Sequence, residues 1–253
     1  MRLALHLAAM ATASQHQLPT ASPRGLRYRV DAAEHRRGPS PGNGERARRV
    51  VNMSVAGIGL VLAVPLMMVI AALIKLTSPG PVLFMQTRIG LDVRGPGGTR
   101  GNGRRRLDHG GRPFTIYKFR TMAASDGDAQ VWARPDDARV TALGRILRTY
   151  RLDELPQLVN VLRGDMNLVG PRPEQPKIFA ELRQQVAGYE LRQRVRPGIT
   201  GWAQINHHYD SSIDDVRRKV AYDLEYVMRQ SLVEDLKIMV WTVPVVAFKQ
   251  GAW

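Results

Sequence analysis

Asp153 and Glu154 stand side by side and are followed at once by Leu155-Pro156, the densest concentration of potential chemistry in the sequence. Proline is excluded from helix interiors but welcome in a first turn, so this spacing predicts a helix that starts close to Asp153 or Glu154. Two carboxylates would then stand at a helix N-terminus, where unpaired N–H groups favour an ionised Asp and equally suit a phosphate. Arg145, Arg148 and Arg151 precede the pair at three-residue spacing, which would lead a stripe of guanidinium groups into it. Acid beside base in this pattern suits the transfer of an anionic group. The same residues also fit a structural role, with Asp153 as helix cap and Glu154 as a solvated first-turn carboxylate.

Further basic groups could serve the same chemistry. Arg172 lies between Pro171 and Pro173; a restricted backbone leaves little entropy to lose, and a planar guanidinium so placed suits bidentate phosphate binding. A rigid loop with a surface arginine is the plain alternative. Lys118 and Arg120 fall on one face of the predicted strand Phe114 to Arg120, with Tyr117 and Phe119 on the other. The basic pair could neutralise a diphosphate, and the aromatics would pack. Mg²⁺ held by Asp153 and Glu154 is compatible with this set, since that ion needs only one or two carboxylates beside substrate phosphates.

Other chemistries are excluded or weak. The sequence has no cysteine, so disulfides, thiolate metal sites and cysteine nucleophiles are absent, as suits a cytosolic setting. No Gly-Lys-Ser/Thr follows the glycines and no G-x-G-x-x-G occurs, which removes the common glycine-rich phosphate loops. The six histidines are scattered, and His207 and His208, being adjacent, would point apart rather than chelate one metal. The net charge of +15, from 37 basic and 22 acidic residues, favours nucleic acid, anionic headgroups or phosphorylated substrates without choosing among them.

The elements that must position these groups read as follows. Short strands at Val82 to Gln86 and Phe114 to Arg120 could form a hairpin around a basic Gly/Arg-rich excursion, Leu91 to Arg112. Helices are predicted over Thr141 to Tyr150, Glu154 to Arg163, Gln175 to Ala187, Ser212 to Arg229 and Leu232 to Phe248. In the fourth, Ile213, Val216, Val220, Leu224 and Val227 recur at helical spacing with Ser211 or Ser212 as cap, which marks a core face. The fifth is apolar in its C-terminal half and fits an interfacial helix or a core helix equally.

Val50 to Ile74 is an uncharged apolar run long enough to cross a hydrocarbon core of roughly 30 Å. Pro65 near its middle should kink it. Both flanks are basic, with Arg46, Arg48 and Arg49 before it and Lys75, Arg88, Arg94, Arg100 and Arg104 to Arg106 after it. The positive-inside rule would keep both ends in the cytoplasm, which a helix that enters and returns satisfies; a single tilted span is the alternative. Residues 1–49 read as a disordered basic tail. Its start imitates a secretory signal, with Arg2, an Ala/Leu stretch interrupted by His6, and Ala11-Thr12-Ala13.

Five stretches in order resemble the bacterial sugar transferases, the monotopic polyprenyl-phosphate phosphoglycosyl transferases. They are Leu76 to Phe84, Tyr117 to Met122, Leu152 to Leu158, Gly164 to Pro173 and Arg196 to Gln204, within roughly residues 50–253. The resemblance implies that Asp153 is the nucleophile attacking the sugar-proximal phosphate of a UDP-sugar, with UMP released and polyprenyl phosphate attacking second. It implies Glu154 as the second member of the dyad, with magnesium binding or site tuning as its task. It places Lys118, Arg120, Arg148, Arg172 and Gln204 at substrate or phosphate positions.

The same resemblance implies an α+β, mainly helical fold: a re-entrant membrane helix (50–76), then a cytoplasmic-face transferase domain (77–253) with a short β-hairpin, interfacial amphipathic helices and a flexible 91–112 insertion. It implies the bacterial inner membrane as location. The implied partners are a UDP-sugar donor, undecaprenyl phosphate and membrane lipids, with a homodimer compatible and nucleic acid not. The sequence departs from the family in four places. Val64-Pro65 replaces a usual Ser-Pro, the 91–112 excursion is long, Asn167 stands for Ser, and His207-His208 stand where Gly-Arg is common. Larger relatives carry further membrane helices and another domain. Two other readings are a non-catalytic, membrane-anchored basic scaffold, which would tolerate Asp153→Asn, and an exported anchored enzyme.

Overall fold

The computed structural model describes residues 43–92, 110–123, 137–207 and 212–247. The signal-like N-terminal stretch, most of the Gly/Arg-rich excursion, Ser211, His208 and Phe248 lie outside them.

Helix α1 (Asn43–Thr77) is one continuous element that contains Pro65. It begins earlier than the apolar pattern suggests, so Glu45 to Arg49, read above as tail, are its first turns. Its 35 residues extend about 52 Å at the helical rise. Asn52, Ala56, Ile70 and Ile74 are buried, and at 3.6 residues per turn these four fall within about 40° of one another. One narrow face therefore packs near each end of the helix, while none of residues 57–69 between them is buried. Val61, Leu62, Met68 and Leu76 on its other sides are exposed. By length and composition α1 is apolar enough to cross a membrane.

Strands β1 (Leu83–Ile89) and β2 (Pro113–Phe119) pair antiparallel, from Leu83 opposite Phe119 to Ile89 opposite Pro113. The ladder continues past both strands, since the Gly90 N–H donates to Arg112 O at 2.9 Å and the Arg112 N–H to Leu91 O at 3.0 Å. Phe114 and Ile116 enter a core with Ala56, Val161 and Met166, while Phe119 meets Ile70, Ile74 and Leu147. The hairpin thus spans the two contact regions of α1.

Helix α2 (Ala142–Thr149) is capped by Thr141, whose Oγ1 accepts from Gly144 N at 2.9 Å. After a 3-10 turn (Leu152–Glu154), α3 (Gln157–Arg163) ends at Gly164, whose φ of 87° is the left-handed stop a glycine supplies. Strands β3 (Asn167–Val169) and β4 (Gly198–Thr200) form a short parallel pair that the sequence pattern does not announce. Three residues are too few to display a period of two. Glycine permits the approach here: a Cβ on Gly198 would collide with Gly170 N.

Between these strands run α4 (Pro176–Gln185) and a 3-10 segment (Tyr189–Arg194). Helices α5 (Trp202–Asn206), α6 (Ile213–Arg229) and α7 (Leu232–Ala247) follow. Ser212 and Asp215 close a capping box at the start of α6, and Val216 and Val220 bury against Ile178, Phe179 and Tyr189. The expected α6 core stripe is there. In α7 only Asp235 and Ile238 are buried, whereas Val233, Leu236, Val240, Trp241 and Val243 are exposed. α7 thus buries one narrow stripe and leaves its other apolar side chains exposed.

Candidate active site

The chain reaches its acidic pair through a conformational exception. After α2, Arg151 adopts φ 53°, the one positive value at a non-glycine among the described residues. Such a conformation costs of order 1–3 kcal/mol. It reverses the chain so that the 3-10 turn carries Asp153 and Glu154 inward, where they are 8% and 6% exposed. Pro156 then caps α3, which starts at Gln157. The expected helix start at the dyad is thus corrected: both carboxylates precede α3 by a turn, because a tight 3-10 turn forms first. Direct ion pairing, rather than a helix terminus, sets the charge of Glu154.

Two separate elements supply that pairing. From β2, Lys118 Nζ donates to Glu154 Oε1 at 2.8 Å. From the Pro171-Arg172-Pro173 loop, Arg172 Nη2 donates to the same oxygen at 2.6 Å, and Nη1 approaches Oε2 at 3.4 Å. These two cations hold the Glu154 carboxyl far below the usual carboxylate range despite its burial. Asp153 makes no hydrogen bond or ion pair among the described residues. Burial pushes its carboxyl up, partly opposed by the charge of Lys118 and reinforced by Glu154. Burial also lowers the Lys118 ammonium, and Glu154 opposes that shift.

A second layer fixes the Arg172 loop. Arg192 Nη2 donates to Arg172 O at 3.1 Å, and Arg88 Nη1 donates to Pro173 O at 3.1 Å. Glu174 takes Lys219 Nζ at 3.1 Å and lies 3.9 Å from both Arg88 and Arg192. Arg192 also pairs with buried Asp223 at 2.6 Å. Lys219, Arg192 and Arg88 overcome burial and hold Glu174 at about 2. A guanidinium so restrained needs no reorganisation to meet an anion.

The structure brings Asp153, Glu154, Lys118 and Arg172 together. Arg148 faces the same side from α2, with Nε donating to Thr121 Oγ1 at 2.9 Å, and its guanidinium is lowered by burial and favoured by the charge of Asp153. The three-residue arginine stripe does not run through, because α2 stops at Thr149: Arg145 is exposed and Arg151 turns inward. Arg120 is not brought to the dyad. Its Nη2 donates to Ser78 O at 2.8 Å and Ser78 Oγ at 2.7 Å, closing the C-terminal end of α1. A Cβ on Gly80, which has φ 114°, would collide with that guanidinium.

Gln204, on α5, lines an apolar cavity of about 150 Å³ that also touches Arg151 and Glu154. Its Nε2 is buried without a hydrogen-bond partner. Among the described residues no cluster of three or more His, Cys, Asp or Glu could hold a metal; a Mg²⁺ shared between one or two carboxylates and substrate phosphates needs none. Sequence reasoning missed Arg88, Glu174, Arg192, Lys219 and Asp223. Only Glu174, directly after Pro173, carries a positional hint.

The family model for "Bacterial sugar transferase" matches residues 44–249. A UDP-N-acetylgalactosamine-undecaprenyl-phosphate N-acetylgalactosaminephosphotransferase from Aeromonas hydrophila is 40% identical over 206 residues, 81% of this chain and 44% of that protein. A UDP-glucose:undecaprenyl-phosphate glucose-1-phosphate transferase from Escherichia coli K12 is 39% identical over 208 residues, 81% of this chain and 41% of that one. A protein of the same name from Caulobacter vibrioides is 42% identical over 200 residues, 78% of this chain and 68% of that relative. The chain spans less than half the length of the first two.

Proposed function

The chain belongs to the bacterial sugar transferase family, and from that premise we propose that it moves a sugar-1-phosphate from a UDP-sugar to undecaprenyl phosphate. Asp153 Oδ attacks the sugar-proximal phosphorus; the bond from that phosphorus to the bridging oxygen breaks, and UMP leaves with the electron pair. An oxygen of the lipid phosphate then attacks the same phosphorus and returns the carboxylate to Asp153. In each step phosphorus exchanges one oxygen for another, and charge spreads over its remaining oxygens.

The observation that carries this reading is the asymmetry of the dyad. Glu154 Oε1 takes both Lys118 and Arg172, so Asp153 is the carboxylate of the pair that no cation holds directly among the described residues, and its burial raises nucleophilicity by raising basicity. Arg172, Lys118 and Arg148 supply positive charge where the oxyanions develop. Mg²⁺ would be held by Asp153 and Glu154 together with the diphosphate, and would supply further charge neutralisation.

The same reading covers the membrane. The N-terminal turns of α1 grip the folded body: Arg48 bonds Asp235, Gln230 and Tyr226, and Asn52 Oδ1 accepts from Leu168 N at 2.6 Å. Its C-terminal turns pack on Phe119 and Leu147. Both ends on one body support a helix that enters and leaves at the cytoplasmic face of the inner membrane. A homodimer is compatible with this arrangement, and the product would serve as the first lipid-linked intermediate of a surface polysaccharide or glycoconjugate.

The test is UMP release from a panel of UDP-sugars by purified protein with Mg²⁺ and undecaprenyl phosphate. Release lost in Asp153→Asn supports the reading; release unchanged in that variant overturns it.

A further inference from the structure

We propose that the aliphatic cavity beside Glu154 seats the first prenyl units of the lipid acceptor, with Arg151 at its polar end meeting the lipid phosphate. The inference rests on the transfer reaction above and adds to it a place for the second substrate.

The walls are hydrocarbon: Leu155 and Leu158 from the dyad segment, Ile199 and Ile205 from the β4–α5 region, and Val245 and Val246 from α7. Two threonines also border it, but their hydroxyls are turned on each other. Thr242 Oγ1 donates to Ile238 O at 2.7 Å, so the 2.8 Å contact between Thr200 and Thr242 uses the Thr200 proton. Apart from Arg151 at the polar end, Gln204 Nε2 is then the lining donor left without a partner. A nucleoside would find its amide groups unpaired against such walls, whereas a branched hydrocarbon loses nothing by burial there.

The position of the cavity favours a lipid over a soluble apolar ligand. One end touches Arg151 and Glu154, next to the nucleophile. Its α7 wall belongs to a helix whose Val240, Trp241 and Val243 are exposed. Its Leu158 wall abuts α1, since a Cβ on Gly59 would lie 3.7 Å from Leu158 Cδ1. The hydrocarbon of an acceptor can thus pass from the apolar outer surface to the dyad without crossing water. About 150 Å³ admits only the start of a long chain, which leaves the remainder in the bilayer. The phosphate at that end is positioned to attack the phosphorus on Asp153, and Arg151 offsets its charge.

The decisive experiment has two arms. In the first, undecaprenyl phosphate bearing a diazirine on its first prenyl units is irradiated with the wild-type protein in liposomes without donor. We expect adducts within 155–158, 199–205 or 242–246, suppressed by unlabelled undecaprenyl phosphate but not by equal phosphatidylglycerol. Adducts confined to the outer face of α1, or suppressed equally by phosphatidylglycerol, would overturn the proposal. In the second, Val246→Trp and Ile199→Trp are compared with Val246→Leu. The bulky variants should raise KM for undecaprenyl phosphate at least tenfold, leaving KM for the donor and the acceptor-independent burst of UMP unchanged. An equal loss of the burst in folded variants would assign the cavity to the donor and sink the idea. Selective adducts from a wild-type protein that releases no UMP would instead remove the transfer reaction and keep the lipid seat.

Discussion

Arg172 reaches Glu154 at 2.6 Å and lands on the oxygen that already takes Lys118 at 2.8 Å. Two cations on one oxygen make that carboxylate a fixed electrostatic element, and they leave its neighbour Asp153 as the reactive one. Chemically alike side chains thus acquire different tasks from their partners alone.

The first expectation concerns stability. Glu154→Gln leaves Lys118 and Arg172 facing a neutral group, so it should destabilise by about 2–4 kcal/mol, less than the full cost of breaking a fully buried pair because Arg172 is partly exposed. Asp153→Asn removes a buried, unpaired carboxylate and should be neutral or mildly stabilising. Denaturant unfolding of the two variants in detergent tests the order; the reverse order would contradict this division of roles.

A second expectation concerns the acid limb of activity. The nucleophile must be ionised, and burial raises Asp153 above its ordinary 3.8, so kcat/KM for the donor should fall with an apparent pKa above that value. The limb belongs to the coupled dyad. Lys118→Met removes the largest force holding the pKa down and should move the limb to higher pH.

Acid unfolding should report the second layer. Glu174 lies at about 2 against an ordinary 4.5, so its folded value is depressed. The stability it contributes is fully present above about pH 4.5 and is lost as pH falls toward 2. Glu174→Gln should flatten stability against pH across that window and weaken donor binding by loosening Arg172. An unchanged slope would show that the layer contributes nothing.

Gly144→Ala sets two effects against each other. Alanine in a helix gains about 1 kcal/mol over glycine, but the new Cβ would collide with Thr121 O. Backbone cannot rotate away, so the collision should win, displacing α2 and its Arg148 at a net cost of about 1–3 kcal/mol. Thermal unfolding and donor KM check it.

The absence of native cysteine allows topology to be read directly. With Arg46→Cys and Leu76→Cys as separate single labels, a membrane-impermeant maleimide should modify both in inside-out vesicles and neither in right-side-out ones. Opposite sidedness would establish a spanning helix.

Much of this architecture was legible because local rules and tertiary packing agree. Ser212 announces α6 as its cap, and Val216 and Val220 are buried as their helical spacing predicts. The dyad was legible as residues but not as geometry: Pro156 marks a helix start, yet nothing local requires Arg151 to turn left-handed. Arg192 and Asp223, or Lys219 and Glu174, meet only through the fold. Their type and spacing carry no periodic signal. Arg120 shows the opposite case, since strand alternation places it beside Lys118 while the end of α1 takes the hydrogen bonds of its Nη2.

The grip of Arg48 on Asp235 and Tyr226 has a practical corollary for anyone seeking a water-soluble version. Excising 43–77 would strand the buried Asp235 carboxylate and the Leu168 N–H and would uncover Val161 and Met166. Solubilisation is better sought by recolouring the outward side of α1, at Val61, Leu62 and Met68, with polar residues while the inward stripe is kept.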